Sequence, residues 1–148
     1  MADVQYREYD LLGPENMRLV YTVTLLFFAC CFLPGQVTGQ TSHRALKVME
    51  SSLISGTTEQ LPQWLSQEVG ITMGGTTRMY DRNQALFVIR QFLSDYPPGG
   101  FHLQHTGESG GTAYASGLYN TRTGGSFEIN IYVGVSGGTI DEIRFERS

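Results

Sequence analysis

Cysteine is nearly absent: the 148-residue chain has two, Cys30 and Cys31, side by side in an apolar run near the N-terminus. Past that run there is no thiol. This excludes cysteine nucleophiles, thiolate metal sites and internal disulfides from the rest of the chain, and it suits an oxidising compartment, where an unpaired thiol is a liability. Lysine is scarce as well. From Gln40 onward eight Arg and Lys stand against ten Asp and Glu, a balance of −2 with His neutral, and Lys47 is the one lysine. Arg78, Arg82, Arg90, Arg122, Arg144 and Arg147 are dispersed. Without a basic stripe there is no field to gather phosphates, so nucleic acid is not an expected partner. Catalytic signatures are missing too. The glycine pairs at 74–75, 99–100, 110–111, 124–125 and 137–138 lie outside any GxxxxGK[ST] pattern, and Ser66, Ser94 and Ser116 lack a GxSxG surround. The glycines read as turns, and nothing reads as a phosphate loop or a nucleophile elbow.

A long hydrophobic run is also lacking. Leu19 to Leu33 is apolar over about fifteen residues and includes two threonines, whereas a spanning helix needs about twenty. Arg18 precedes the run, Pro34-Gly35 ends it, and Val37 and Gly39 occupy the −3 and −1 positions before Gln40. That order is the layout of a secretory signal peptide. The expected organisation is a leader over 1–39, with the signal beginning near Met17, and a single domain over 40–148. The product is expected to be exported, periplasmic or secreted, with no membrane contact after cleavage. A lipid anchor at Cys30 ranks second, because Phe27 stands where bacterial lipoprotein signals usually carry Leu. Met1 to Asn16 is polar and acidic, which Met17 as the true start would explain.

In the remainder, Ser126 to Val135 is the strongest element: Phe127, Ile129, Ile131, Val133 and Val135 alternate with Glu128, Asn130, Tyr132 and Gly134. A period of two predicts a strand with one buried face. Phe101–Glu108, Thr112–Thr121 and Thr139–Glu146 read as its antiparallel companions, joined by glycine-paired turns. Upstream, Thr41–Ser55 places Leu46, Met49 and Leu53 at helical spacing. TTEQLPQWLSQ reads as a short second helix, and Glu68–Met73 with Thr76–Tyr80 as short strands. Asp81 and Gln84 have capping-box spacing ahead of a third helix whose apolar face is Ala85, Leu86, Ile89, Phe92 and Leu93. The fold class is α+β, with three N-terminal helices packed on a curved, mostly antiparallel sheet.

The segments LISGTTEQLPQWLSQEVGITMGG, YDRNQALFVIRQFLSDYPPGGFHLQHTGES and EIRFERS resemble the family of short exported bacterial proteins called domain of unknown function 4783. The order of elements is similar to the cone of the nuclear transport factor 2-like superfamily. The resemblance covers roughly Ala45 to Glu146. It implies a fold and export but carries no functional residues over. It also implies a pocket between the concave sheet face and the helices, and dimerisation through the outer sheet face, where Glu128, Asn130 and Tyr132 would lie.

The pocket candidates are His105, Phe127, Ile129, Ile131, Val133 and Tyr114. His105 shares strand parity with Phe101 and Leu103, which would turn it inward. A metal or other cofactor is not expected, because the spacing of His102 and His105 sends them to opposite faces of a regular strand and no carboxylates join them. The expected function is a non-enzymatic one, binding a small apolar ligand in the cone or a protein partner on the sheet. The alternative is a small isomerase or hydrolase of the ketosteroid-isomerase-like class, with His105, Asp141 and a tyrosine as its set. The export reading has a direct check. Intact-mass measurement of the exported protein should give Gln40 as the first residue, and a first residue upstream of Met17 would contradict it.

Overall fold

The computed structural model describes residues 39–134 and 137–148. The leader up to residue 38, and Val135, lie outside the described residues. Among the described residues no helix is long and apolar enough to cross a membrane. The elements are helix α1 (Gly39–Ser55), strands β1 (Leu65–Met73) and β2 (Thr76–Asp81), helix α2 (Arg82–Asp95), and strands β3 (Pro98–Ser109), β4 (Thr112–Thr121), β5 (Ser126–Gly134) and β6 (Ile140–Arg147).

The six strands form one sheet in the order β2-β1-β6-β5-β4-β3. Every pairing is antiparallel except β1 with β6, which is parallel and makes the sheet mixed. Register turns the alternation of β5 into rows across the inner face. One row runs Ala115, Ile131, Ile143, Ile71, and the next runs Gly117, Ile129, Phe145, Met73. The tight turn between β3 and β4 uses Gly110 and Gly111 at φ +58° and +78°. A two-residue hairpin needs positive φ at both positions, which only glycine adopts freely.

The expected second helix does not form. Residues 62–64 make a single 3₁₀ turn, and Leu65 is already extended at φ −85°, ψ 140°. Leu65 pairs with Ile140, and Leu65 and Val69 are fully buried. The sheet's demand for an inward apolar residue thus overrides helical spacing in a segment too short to hold a helix alone. Among the described residues two helices, not three, cover the sheet.

Each helix covers a different part of it. α1 buries Ala45, Leu46, Met49 and Leu53 and packs on β3, β4 and β5. The small residues Ala113, Ala115 and Gly117 of β4 give it room. A Cβ on Gly117 would lie 2.5 Å from the Phe101 ring, so only glycine lets that ring lie flat there. α2 packs mainly on β1 and β2. It starts from the expected capping box: Asp81 Oδ1 accepts from the Gln84 amide at 2.9 Å while Gln84 Oε1 accepts from the Asp81 amide at 3.4 Å. Its buried face is Ala85, Leu86, Ile89, Phe92 and Leu93.

Phe92 reaches past β1 into the middle of the sheet, with its ring centroid 4.2 Å from Phe145 and 5.1 Å from Phe127. Phe92→Ala should destabilise the domain by about 3–5 kcal/mol through lost burial and the cavity left behind. Equilibrium denaturant unfolding measures this, and a loss below about 1 kcal/mol would mean that the ring is not a core contact.

Candidate functional site

The inner face of the sheet is filled beneath α1 and leaves clefts beside α2. Beneath α1 the core is filled: Ile129 and Val133 are fully buried, and a gap of about 60 Å³ beside Ile131 is bordered by His43, Leu46, Phe101 and Leu103. Organic ligands of drug size occupy roughly 300–1,000 Å³, so this gap admits none. Where α2 ends, the aromatic side chains leave a cleft of about 220 Å³ lined by Met73, Phe92, Tyr96, Phe127, Phe145 and Arg147. Tyr96 meets Phe127 edge-on at 4.7 Å and Phe92 at 5.2 Å. A second cleft of about 300 Å³ adjoins across Met73, between the β1–β2 hairpin and α2, bordered by Ile71, Thr76, Arg78, Tyr80 and Val88.

Of the pocket candidates read from sequence, Phe127, Ile129, Ile131 and Val133 face inward and are buried. Only Phe127 reaches the aromatic cleft. His105 does not face the pocket. The β3–β4 register slips between Leu103, opposite Gly117, and His105, opposite Ser116. That β-bulge places one extra residue, Gln104, on β3 and reverses the parity beyond it. Thr106, opposite buried Ala115, takes the inward position instead, while His105 is exposed on the outer face. His102, opposite Leu118, lies on that face too, so the bulge brings both histidines to one side, contrary to the expectation for a regular strand.

Tyr114 is likewise on the outer face, opposite Tyr132 and Gly107 and 37% exposed. Its ring lies so close over Gly107 that a Cβ there would come within 2.6 Å of the hydroxyl. The parity of Ala113, Ala115 and Tyr119 was the sequence signal that placed Tyr114 outside. Tyr114 and His105 are therefore corrected from pocket to outer surface.

The acid and base candidates are not brought together. Asp141 is exposed and accepts a hydrogen bond from the Ser66 hydroxyl, which also meets the Thr139 hydroxyl at 2.8 Å. Glu142 accepts from Arg144 Nε at 2.6 Å, and the Arg144 guanidinium lies 5.2 Å from the Tyr132 ring centroid. β4 and β5 separate the strand of His105 from that of Asp141. Among the described residues no group of three or more His, Cys, Asp or Glu is placed to hold a metal ion.

With this geometry in view, comparison with known proteins is decisive for the family. The sequence profile of the domain of unknown function DUF4783 matches residues 46–146. The chain belongs to the DUF4783 family. A DUF4783 protein from Bacteroides ovatus has a similar structure with a TM-score of 0.63 at 19% identity, over 68% of this chain and 92% of that one. Another from Bacteroides fragilis gives 0.63 at 22% identity, over 68% and 95%. A nuclear transport factor 2-like protein of unknown function from Mesorhizobium loti gives 0.58 at 17% identity, over 74% and 92%. No curated protein matches the chain. The DUF4783 chain thus has the nuclear transport factor 2-like α+β fold, with two helices on a six-stranded mixed sheet.

Sequence reasoning missed most of the cleft's lining. Phe92 reads as an inward residue on the third helix, Phe145 is not singled out by the sequence, and its meeting with Met73 depends on the parallel β1–β6 pairing. Tyr119 backs the cluster with its ring 5.5 Å from Phe92, and its hydroxyl donates to the Tyr96 carbonyl at 2.6 Å. Burial pushes the Tyr119 phenol from 10.0 up to about 12, with Arg122 opposing. The folded state therefore holds this proton after the unfolded chain has released it. The stabilisation is present below about pH 10 and is lost as pH rises towards about 12. Urea unfolding across that range should show a steeper alkaline loss in the wild type than in Tyr119→Phe. The variant should start about 1 kcal/mol lower for want of the hydrogen bond. Parallel curves would contradict the assignment.

Proposed function

We propose that this DUF4783 protein is an exported, non-enzymatic binding domain that takes a small, flat, apolar molecule in the aromatic cleft at the open end of its cone. The observation carrying this reading is the cleft itself: Phe92, Tyr96, Phe127 and Phe145 present ring faces and edges around about 220 Å³ beside a packed core. Aromatic walls with few polar groups favour a guest that removes apolar area from water, at roughly 25 cal/mol per Å². The volume, below the usual drug-sized range, calls for a small guest. The isomerase or hydrolase reading has less support, because the inner rows of β4, β5 and β6 bring no carboxylate or histidine to Tyr119, whose hydroxyl is committed to the Tyr96 carbonyl.

A homodimer through the outer sheet face belongs to the same proposal. The partly buried Tyr132 and Asn130 and the exposed Tyr114 lie there among Ser116, Leu118 and Arg144, a mixed surface of the kind seen at protein interfaces.

Naphthalene-2-carboxamide, a neutral flat probe, should shift the NMR resonances of Phe92, Tyr96, Phe127 and Phe145. Met73→Trp, which fills the rim of the cleft from an exposed position, should abolish the shifts. An unperturbed wild-type spectrum at millimolar probe removes the cleft reading. Sedimentation of the same samples tests the dimer, which Tyr132→Arg should dissociate, whereas a monomeric wild type would dismiss that face.

A further inference from the structure

The cleft is apolar in its walls but not in its rim. Most arginines of the described residues are occupied: Nε of Arg82 donates to the Leu65 carbonyl at 3.0 Å, that of Arg90 to Thr58 Oγ1 at 2.8 Å, that of Arg122 to the Pro98 carbonyl at 3.0 Å, and that of Arg144 to Glu142 at 2.6 Å. Arg44, Arg78 and Arg147 have no hydrogen-bond or ion-pair partner among the described residues. Two of these three border the clefts on either side of Met73. Arg147 lines the aromatic one, across from Phe127 in the β5–β6 register, and Arg78 lines its neighbour, across from Ile71.

No carboxylate lines either cleft. The nearby acids are engaged or turned away. Asp81 caps α2, Asp95 accepts from Gln91 Nε2 at 2.9 Å, and Glu146 lies opposite Glu128 on the outer face. Two exposed arginines thus stand at the edge of an aromatic floor in a domain whose charge balance from Gln40 onward is −2. A guanidinium beside an apolar wall pairs with carboxylate or sulfonate oxygens through two parallel N–H donors, which an ammonium cannot match.

Resting on the cleft reading above, we infer that the guest is a small aromatic anion. Its flat body packs against Phe92, Tyr96, Phe127 and Phe145, and its carboxylate or sulfonate meets Arg147. Arg78 acts from across Met73 as a second, weaker source of positive field.

Paired probes test this without ambiguity: 2-naphthoate and its neutral isostere naphthalene-2-carboxamide, titrated by NMR or calorimetry into the full domain at low and moderate salt. The naphthoate should bind about tenfold tighter than the amide, with the advantage shrinking as salt screens the exposed rim. Arg147→Gln should remove most of that preference, Arg78→Gln about half of it on the logarithmic scale, and Arg44→Gln, on α1, none. Amide binding should be unchanged in Arg44→Gln, and in Arg147→Gln and Arg78→Gln it should fall by less than naphthoate binding does. All three arginines are exposed, so the thermal midpoint should not move. Equal affinity for the two probes in the wild type, or a preference that survives Arg147→Gln, overturns the anion inference while leaving the cleft reading intact. Binding of neither probe overturns both.

Discussion

Phe92 sits where α2 meets the sheet, with ring contacts to Tyr96, Tyr119, Phe127 and Phe145 that draw on the helix end and on β4, β5 and β6. Burying this ring joins the two halves of the domain, because α2 otherwise packs mainly on β1 and β2. Each such aromatic contact adds about 0.5–1.5 kcal/mol beyond area burial. The parallel β1–β6 ladder is the other half of the same constraint. It brings Met73 opposite Phe145 and so sets the floor under the ring.

The inner face is filled beneath α1 and open beside α2 for steric reasons that can be followed residue by residue. Beneath α1 the strands offer Ala113, Ala115 and Gly117, and the helix sinks close enough for Met49 and Leu53 to occupy the volume. At the far end the β-strands offer Phe127 and Phe145 and the helix offers Phe92 and Tyr96. Rings that meet tilted or edge-on do not tile space as aliphatic side chains do, and a cleft remains. The position of the cleft follows from where large and small residues fall along one set of inward-facing strand positions.

Charge is arranged around that cleft by occupancy more than by number. Arginines that could have been free cations are tied to backbone carbonyls, a threonine and Glu142, which makes them structural donors. The outer face of the sheet is a different surface, with both strand histidines, Tyr114, Tyr132 and the Glu142–Arg144 pair. Exposed pairs of this kind contribute little stability, about 0–1 kcal/mol, so their placement bears on association more than on folding.

The period of two along residues 126–134 determined by itself which side chains of β5 are buried, because a strand has only two faces and one was wholly apolar. Capping chemistry at Asp81 and Gln84 likewise determined where α2 begins, since the bonds involved are local. The segment before β1 was different: Leu61, Trp64 and Leu65 fit a helical period, and only pairing with β6, distant in the chain, decided in favour of extended backbone. His105 shows the same limit at the site. Its inward parity on paper was reversed by one bulged residue, a feature set by fitting β3 to β4. The aromatic cleft was legible only as two separate inward residues, Phe92 and Phe127. Their convergence with Met73 and Arg147 came from long-range strand order, which local spacing does not encode.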